Sequence, residues 1–393
     1  MSSLERSKGA STDNKPSHEG PAVPFRVAMV MGKMLGGGVE SVIMNYYRSI
    51  DRSQVQFDFL VDSDSTLVPR EEIESLGGRV FEIPPYQRVA EYQRELRALL
   101  EREGWPIVHS HVNALSVFPL RAAKKAGVPI RIAHSHSTSG RGEHAKNVLK
   151  AVLKTQANRY PTHRIACSRL AGDWLFGKGA DYTVMRNAVD LSAFSPDAAD
   201  RARERELLGV SDGQLLVGHI GRFMEQKNHE FLLEVFKELL GLRPGSVLAL
   251  AGEGPLMERT RERARNLGID GSVLFLGTRS DAPSLYRAFD VFCLPSLYEG
   301  LPMVGVECQA SQTPILASGA ITPEAAATSL MEFEPLDSGP DVWARRLLGM
   351  AGKRPGGRDL EAIRDFDIAS ASSKLLSFYR SAMGEPERTK IDQ

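Results

Sequence analysis

Net charge is the first thing this chain lacks: 49 lysines and arginines are balanced by 49 aspartates and glutamates over 393 residues. Without a positive field, nucleic acid is not an expected partner. Cysteine is nearly absent as well. Cys167, Cys293 and Cys308 are scattered through apolar surroundings, which argues against a disulfide framework and for reduced core thiols in a cytoplasmic protein. No apolar run reaches membrane-spanning length. The start, "MSSLERSKGASTDNKPSHEGPAVP", is polar, is broken by Pro and Gly, and lacks the apolar centre of a secretory signal, so residues 1–24 are expected to form a disordered leader.

What remains is an ordinary globular composition, 42% hydrophobic and 25% charged, on a chain long enough for two cores. Short apolar runs alternate with longer stretches of helical period. "FRVAMVMG", "VQFDFLV", "GRVFEI", "IVHSH", "IRIAHS" and "RIACS" make one series, and "QLLVGHIG", "SVLALAG", "VLFLG", "VFCLPS" and "PILAS" make a second. Between them lies "MRNAVDLSAFSPDAAD", Met185 to Asp200, whose Asn, Ser, Pro and Asp content suits an interdomain connection. The expected fold is α/β: two doubly wound, Rossmann-like parallel sheets facing across a cleft. The first domain is expected over 25–190 and the second over 191–365, with 366–393 forming a returning helix and tail. In such sheets ligands bind beyond the carboxyl ends of the strands, so the loops there are where chemistry belongs.

After the first run, "GKMLGGGVES" sets Gly36, Gly37 and Gly38 before a helix near Val39, where bare backbone N–H groups would suit an anion; a flexible turn is the plainer alternative. The full dinucleotide fingerprint is missing, which argues against NAD. After the first run of the second series, "GRFMEQKNHE" brings an Arg fork, Arg222, and a Lys point charge, Lys227, to one sheet edge, a pairing suited to a diphosphate. In "LYEGLPMVGVEC", Pro302 suits the first turn of a helix whose N–H groups at Met303 and Val304 would seat a phosphate. Glu299 precedes that helix and Glu307 lies within it, so the two carboxylates can reach different parts of one ligand, as a nucleotide sugar requires. A glycosidase acid pair is the alternative from spacing, but it leaves Arg222, Lys227 and the helix end without a use.

"GRFMEQKN", "AGEGPL" and "EGLPMVGVE", in this order, resemble the signature set of the retaining glycosyltransferases of family 4, which have the GT-B fold; the E-x7-E spacing is the most specific part. The resemblance runs from about Phe25 to about Tyr379, and "AHSHSTS" and "ITPEAAATSLMEFEPL" are similar to the exopolysaccharide and capsule branch. It implies retaining transfer from a nucleoside-diphosphate sugar, with a uridine diphosphate sugar favoured and no metal or other cofactor. Arg222 and Lys227 would hold the diphosphate, with the Met303 and Val304 backbone assisting. Glu299 would contact the transferred sugar, Glu307 the ribose, and Gly36 to Gly38 would border the donor. His111 stands where the family often places a histidine near the reacting sugar. The sequence departs from the family at "SGAITPE", where many relatives have a Gly-Gly-x-x-Glu turn. A GT-B epimerase and a catalytically inactive sugar-nucleotide-binding subunit are the alternatives, the second disfavoured because all four charged positions are kept.

His109 with His111, and His134 with His136, form two H-x-H pairs at strand ends, so a zinc site is conceivable. With no Asp, Glu or Cys near either pair, contact with sugar hydroxyls is the preferred reading. The acceptor, a glycan or a lipid-linked sugar, is assigned to the first domain, where "HSTSGRGEHAKN" could meet a lipid diphosphate at the membrane face or be an ordinary solvated loop.

Overall fold

The computed structural model describes residues 23–136, 151–353, 355 and 357–384. The leader up to residue 22, the loop "HSTSGRGEHAKN" after its first residue, and the tail from 385 lie outside the described residues.

The first domain is built on β1 (Phe25–Gly32), β2 (Val55–Asp62), β3 (Arg79–Ile83), β4 (Ile107–Ser110), β5 (Ile130–Ser135), β6 (His163–Ala166) and β7 (Thr183–Val184), in the order β3-β2-β1-β4-β5-β6-β7. The second is built on β8 (Leu216–Ile220), β9 (Val247–Ala251), β10 (Val273–Gly277), β11 (Val291–Leu294), β12 (Ile315–Ser318) and β13 (Met331–Glu334), in the order β10-β9-β8-β11-β12-β13. Every pairing in both sheets is parallel. This follows from the runs themselves: β2 is buried along its whole length, as a strand covered by helices on both faces must be.

The helix Ile368–Ala382 returns to the first domain. Asp367 caps it by accepting the Ser370 N–H at 3.4 Å, and the chain before it is stitched to the connection by Val189 N–H to Phe366 O (3.0 Å) and Ile368 N–H to Val189 O (2.9 Å). Its fully buried Tyr379 meets Phe25 and Phe57 edge-on and bonds His109 Nδ1 at 2.7 Å.

Strand order reverses between β1 and β4 in the first sheet and between β8 and β11 in the second. At such a switch point the two outgoing loops diverge to opposite faces and leave a crevice. The motif loops stand at these two places.

Candidate active site

At the second-domain switch point the loops after β8 and β11 are tied together side chain by side chain. Leu297 N–H bonds Gln226 O (2.8 Å), Gln226 Nε2 bonds Tyr298 O (2.9 Å) and Asn228 Nδ2 bonds Pro295 O (3.2 Å). Asn228 takes the left-handed conformation, φ 56°, to turn the chain into the helix His229–Leu242. The "AGEGPL" loop braces the same place: Phe223 N–H bonds Glu253 O and Leu256 N–H bonds Phe223 O, both at 3.0 Å. Its glycines are there for close approach, since a Cβ on Gly252 would lie 2.3 Å from Gly221 O and one on Gly254 would lie 2.6 Å from Phe223 O.

On this brace, Lys227 Nζ contacts Glu299 Oε1 at 2.6 Å, and Ser296 Oγ donates to the same oxygen at 3.0 Å. Glu299 is 9% exposed, so the pair is held in a low-dielectric pocket rather than in bulk water. Arg222 is different. Its side chain is partly buried and makes no hydrogen bond or ion pair among the described residues. A guanidinium held at a sheet edge without a carboxylate partner can hydrogen-bond an incoming anion.

Pro302 stands one position outside the helix Met303–Ala310 as its N-cap, rather than in its first turn, and the Met303 and Val304 N–H groups have no acceptor within the helix. Further in, Glu307 Oε2 accepts from Tyr286 OH at 2.8 Å, while its other oxygen accepts no hydrogen bond among the described residues. Burial pushes the Glu307 carboxyl above the usual carboxylate range, against the opposing hydrogen bond from Tyr286. The two glutamates are therefore differently set, one neutralised by a lysine and one held by a phenol.

The first-domain switch point corrects one expectation. The glycine loop does not leave all its amides bare: Glu40 in the helix Gly38–Ser49 turns its carboxylate back to accept the N–H of Leu35 (2.9 Å) and of Gly37. An acidic side chain three residues on thus occupies part of the predicted anion seat. Gly36 has φ +74°, and Gly37 and Gly38 line a cavity that also contains His111.

The two H-x-H pairs meet. His109 Nε2 and His134 Nδ1 lie 3.2 Å apart, and His111 Nδ1 and His136 Nε2 lie 3.0 Å apart. One ligating nitrogen from each of His109, His111 and His134 can be chosen so that all three lie within 4.8 Å of one another. All four rings are buried, and burial drives their pKa values down, so they are neutral. Among the described residues His111 Nε2 has no hydrogen-bond partner.

Where the sequence departs at "SGAITPE", Glu324 accepts the N–H groups of Arg169 (2.8 Å) and Leu170 (3.3 Å) at the start of the first-domain helix Arg169–Phe176. The residue 155 positions away links the two domains by satisfying a helix terminus.

Two doubly wound parallel domains carrying their motif loops at both switch points define the GT-B architecture. Residues 37–205 match the model for the glycosyl transferase 4-like domain and residues 200–326 that for glycosyl transferases group 1. A Bacillus subtilis (strain 168) protein named as the glycosyltransferase EpsF is 36% identical over 368 residues, covering 90% of this chain and 96% of that one. The Escherichia coli UDP-Gal:alpha-D-GlcNAc-diphosphoundecaprenol alpha-1,3-galactosyltransferase is 26% identical, covering 75% of this chain and 79% of that one. Among solved structures, Anabaena HepE in complex with UDP-glucose superposes with a TM-score of 0.75 at 18% identity, covering 91% of this chain and 99% of that one. The chain belongs to the group 1 glycosyltransferases with a glycosyltransferase 4-like first domain, and its activity is glycosyl transfer from a nucleotide sugar.

Proposed function

We propose that this chain transfers a hexose, with retention of anomeric configuration, from a uridine diphosphate sugar to a lipid-linked diphosphate glycan during assembly of a surface polysaccharide. The observation that carries this reading is Arg222, a partly buried guanidinium without a side-chain partner among the described residues, on the same loop as the Lys227 of the Lys227–Glu299 pair at a switch point. The donor and lipid-linked acceptor named for the E. coli relative support the substrate classes. Among the described residues no helix is long and apolar enough to cross a membrane, so contact with a lipid-linked acceptor would be peripheral.

In this reading Arg222, Lys227 and the Met303 and Val304 amides hold the diphosphate. They offset the charge that grows on it as the bond from the sugar C1 to the phosphate oxygen breaks. The acceptor oxygen bonds to C1 on the face the phosphate leaves, and its proton passes to the departing phosphate oxygen. Glu299 orients the sugar, His111 and Gly36 to Gly38 border it from the first domain, and Glu307 takes the ribose hydroxyls.

Release of UDP from a panel of UDP-sugars, with and without a chelator, tests the proposal. UDP release is expected from at least one sugar at a rate the chelator leaves unchanged. Loss of the rate on chelation, with stoichiometric metal recovered from the protein, would contradict metal-independent transfer and reassign His109, His111 and His134 as ligands. The ribose role has its own measurement. Glu307→Gln should weaken UDP by about 1.5–3 kcal/mol, the usual cost of a lost charged hydrogen bond, and Tyr286→Phe, which removes only the phenol that steadies it, should weaken UDP less. Equal UDP affinity in wild type and Glu307→Gln would remove Glu307 from the nucleotide.

A further inference from the structure

Strand β2 carries two buried aspartates on the same face, four residues apart, with opposite fates. Asp58, fully buried, is met by Arg26 (2.5 and 2.8 Å), Arg79 (2.6 Å) and Trp105 Nε1 (2.7 Å). Burial alone would raise its pKa, but the hydrogen bonds from Arg26, Arg79 and Trp105 outweigh it and hold the carboxyl below the usual range. Its role is structural and complete.

Asp62, at the carboxyl end of the strand, is 4% exposed and its carboxylate accepts no hydrogen bond among the described residues. The cation whose field reaches it, Lys33, is committed to Asp64 at 2.7 Å. Burial, with the Asp64 charge adding to it, pushes the Asp62 carboxyl up to about 6. An unpaired buried carboxylate is costly to a fold, and one retained at a switch point calls for a ligand.

Two other polar side chains line the same cavity. Tyr92, from the helix Val89–Glu103, is 3% exposed, and among the described residues neither its hydroxyl nor His111 Nε2 has a hydrogen-bond partner. Burial keeps the tyrosine protonated and so a donor. Asp62, Tyr92 and His111 line one cavity of about 500 Å³, together with Gly37, Gly38 and Tyr86. That volume and this mixture of apolar wall with a few convergent polar groups suit a small ligand.

We propose that this cavity binds the terminal ring of the acceptor, an uncharged sugar whose adjacent free hydroxyls are taken by the Asp62 carboxylate and the Tyr92 hydroxyl. The Asp62 carboxylate disfavours a phosphorylated ring at this position, because Lys33, the lysine that lines the cavity, is already paired with Asp64. The proposal rests on the transferase reading, with the donor in the other domain and His111 between them. Asp62 is then a specificity-determining residue.

The test is saturation-transfer NMR on the full chain with UDP present. The probes are the methyl glycosides of glucose, galactose, mannose and N-acetylglucosamine, with glucose 6-phosphate as the charged comparison. At least one neutral glycoside is expected to bind wild type, to lose about tenfold in affinity in Asp62→Asn, and to weaken also in Tyr92→Phe, with UDP signals unchanged in both variants. Removing an unpaired buried charge should leave the thermal midpoint of Asp62→Asn at pH 7.5 at or above that of wild type. The proposal is overturned if neutral glycosides bind wild type and both variants equally, if glucose 6-phosphate is the preferred ligand, or if no neutral glycoside binds. It is also overturned if Asp62→Asn melts lower while still binding sugar, which would make the residue structural. Absence of UDP signals from wild type would sink the donor reading instead, and the glycoside signals would still report on Asp62.

Discussion

Glu299→Gln should reduce turnover at saturating donor by roughly two to three orders of magnitude, ~3 kcal/mol in the barrier, the size seen when one preorganised electrostatic contact to a transition state is lost. UDP affinity should stay level or rise slightly. The reason is the 2.6 Å contact with Lys227: glutamine keeps a hydrogen-bonding oxygen for Ser296 and Lys227 but removes the charge that neutralises the lysine, leaving Lys227 freer for the diphosphate. Initial rates with the UDP-sugar and calorimetry with UDP separate the two effects. Equal losses of UDP affinity and turnover would instead make Glu299 a brace for the loop before Met303.

Arg222→Ala should weaken UDP by roughly two orders of magnitude, from loss of charge-assisted hydrogen bonds worth about 1.5–3 kcal/mol each. Arg222→Lys should recover only part of this, because an ammonium is a point charge and cannot present a planar fork to two phosphate oxygens. Neither substitution should lower the melting temperature in the absence of nucleotide, since the guanidinium has no hydrogen-bond or ion-pair partner among the described residues to lose. A drop in melting temperature without ligand would show that Arg222 serves the fold. For Glu299 the expectation differs, because removing its charge also breaks a buried pair.

The architecture was legible because eleven apolar runs carry it, and β2 shows why: eight consecutive buried residues leave no doubt about a covered strand. The two strands that the periodicity did not announce are β7, two exposed residues, and β13, whose sequence "MEFE" carries Glu332 and Glu334. Those charges stop reading as a loop only when Arg346, on the helix Pro340–Met350, is seen at 2.6 Å from both. The motif loops were legible in the sequence, but the pairing inside them was not. Lys227 and Glu299 stand 72 positions apart, and nothing local to either shows that they meet. The glycine run read as bare because the carboxylate that takes two of the loop's amides, Glu40, lies in the following helix, and nothing in the sequence turns it back on the loop. Asp62 escaped for a similar reason. In "VQFDFLVD" it is indistinguishable from Asp58, and only the arrival of Arg26, Arg79 and Trp105 at one of them, and of no hydrogen-bond partner among the described residues at the other, tells the two apart.

Calorimetric titration of UDP into wild type, Arg222→Ala and Asp62→Asn, all in the presence of a chelator, tests the donor site most directly. Saturable one-to-one binding is expected for wild type and for Asp62→Asn alike, with affinity lower by roughly two orders of magnitude for Arg222→Ala. Absence of binding to wild type under chelation, or the same affinity in wild type and Arg222→Ala, would contradict the placement of the nucleotide sugar at the second-domain switch point.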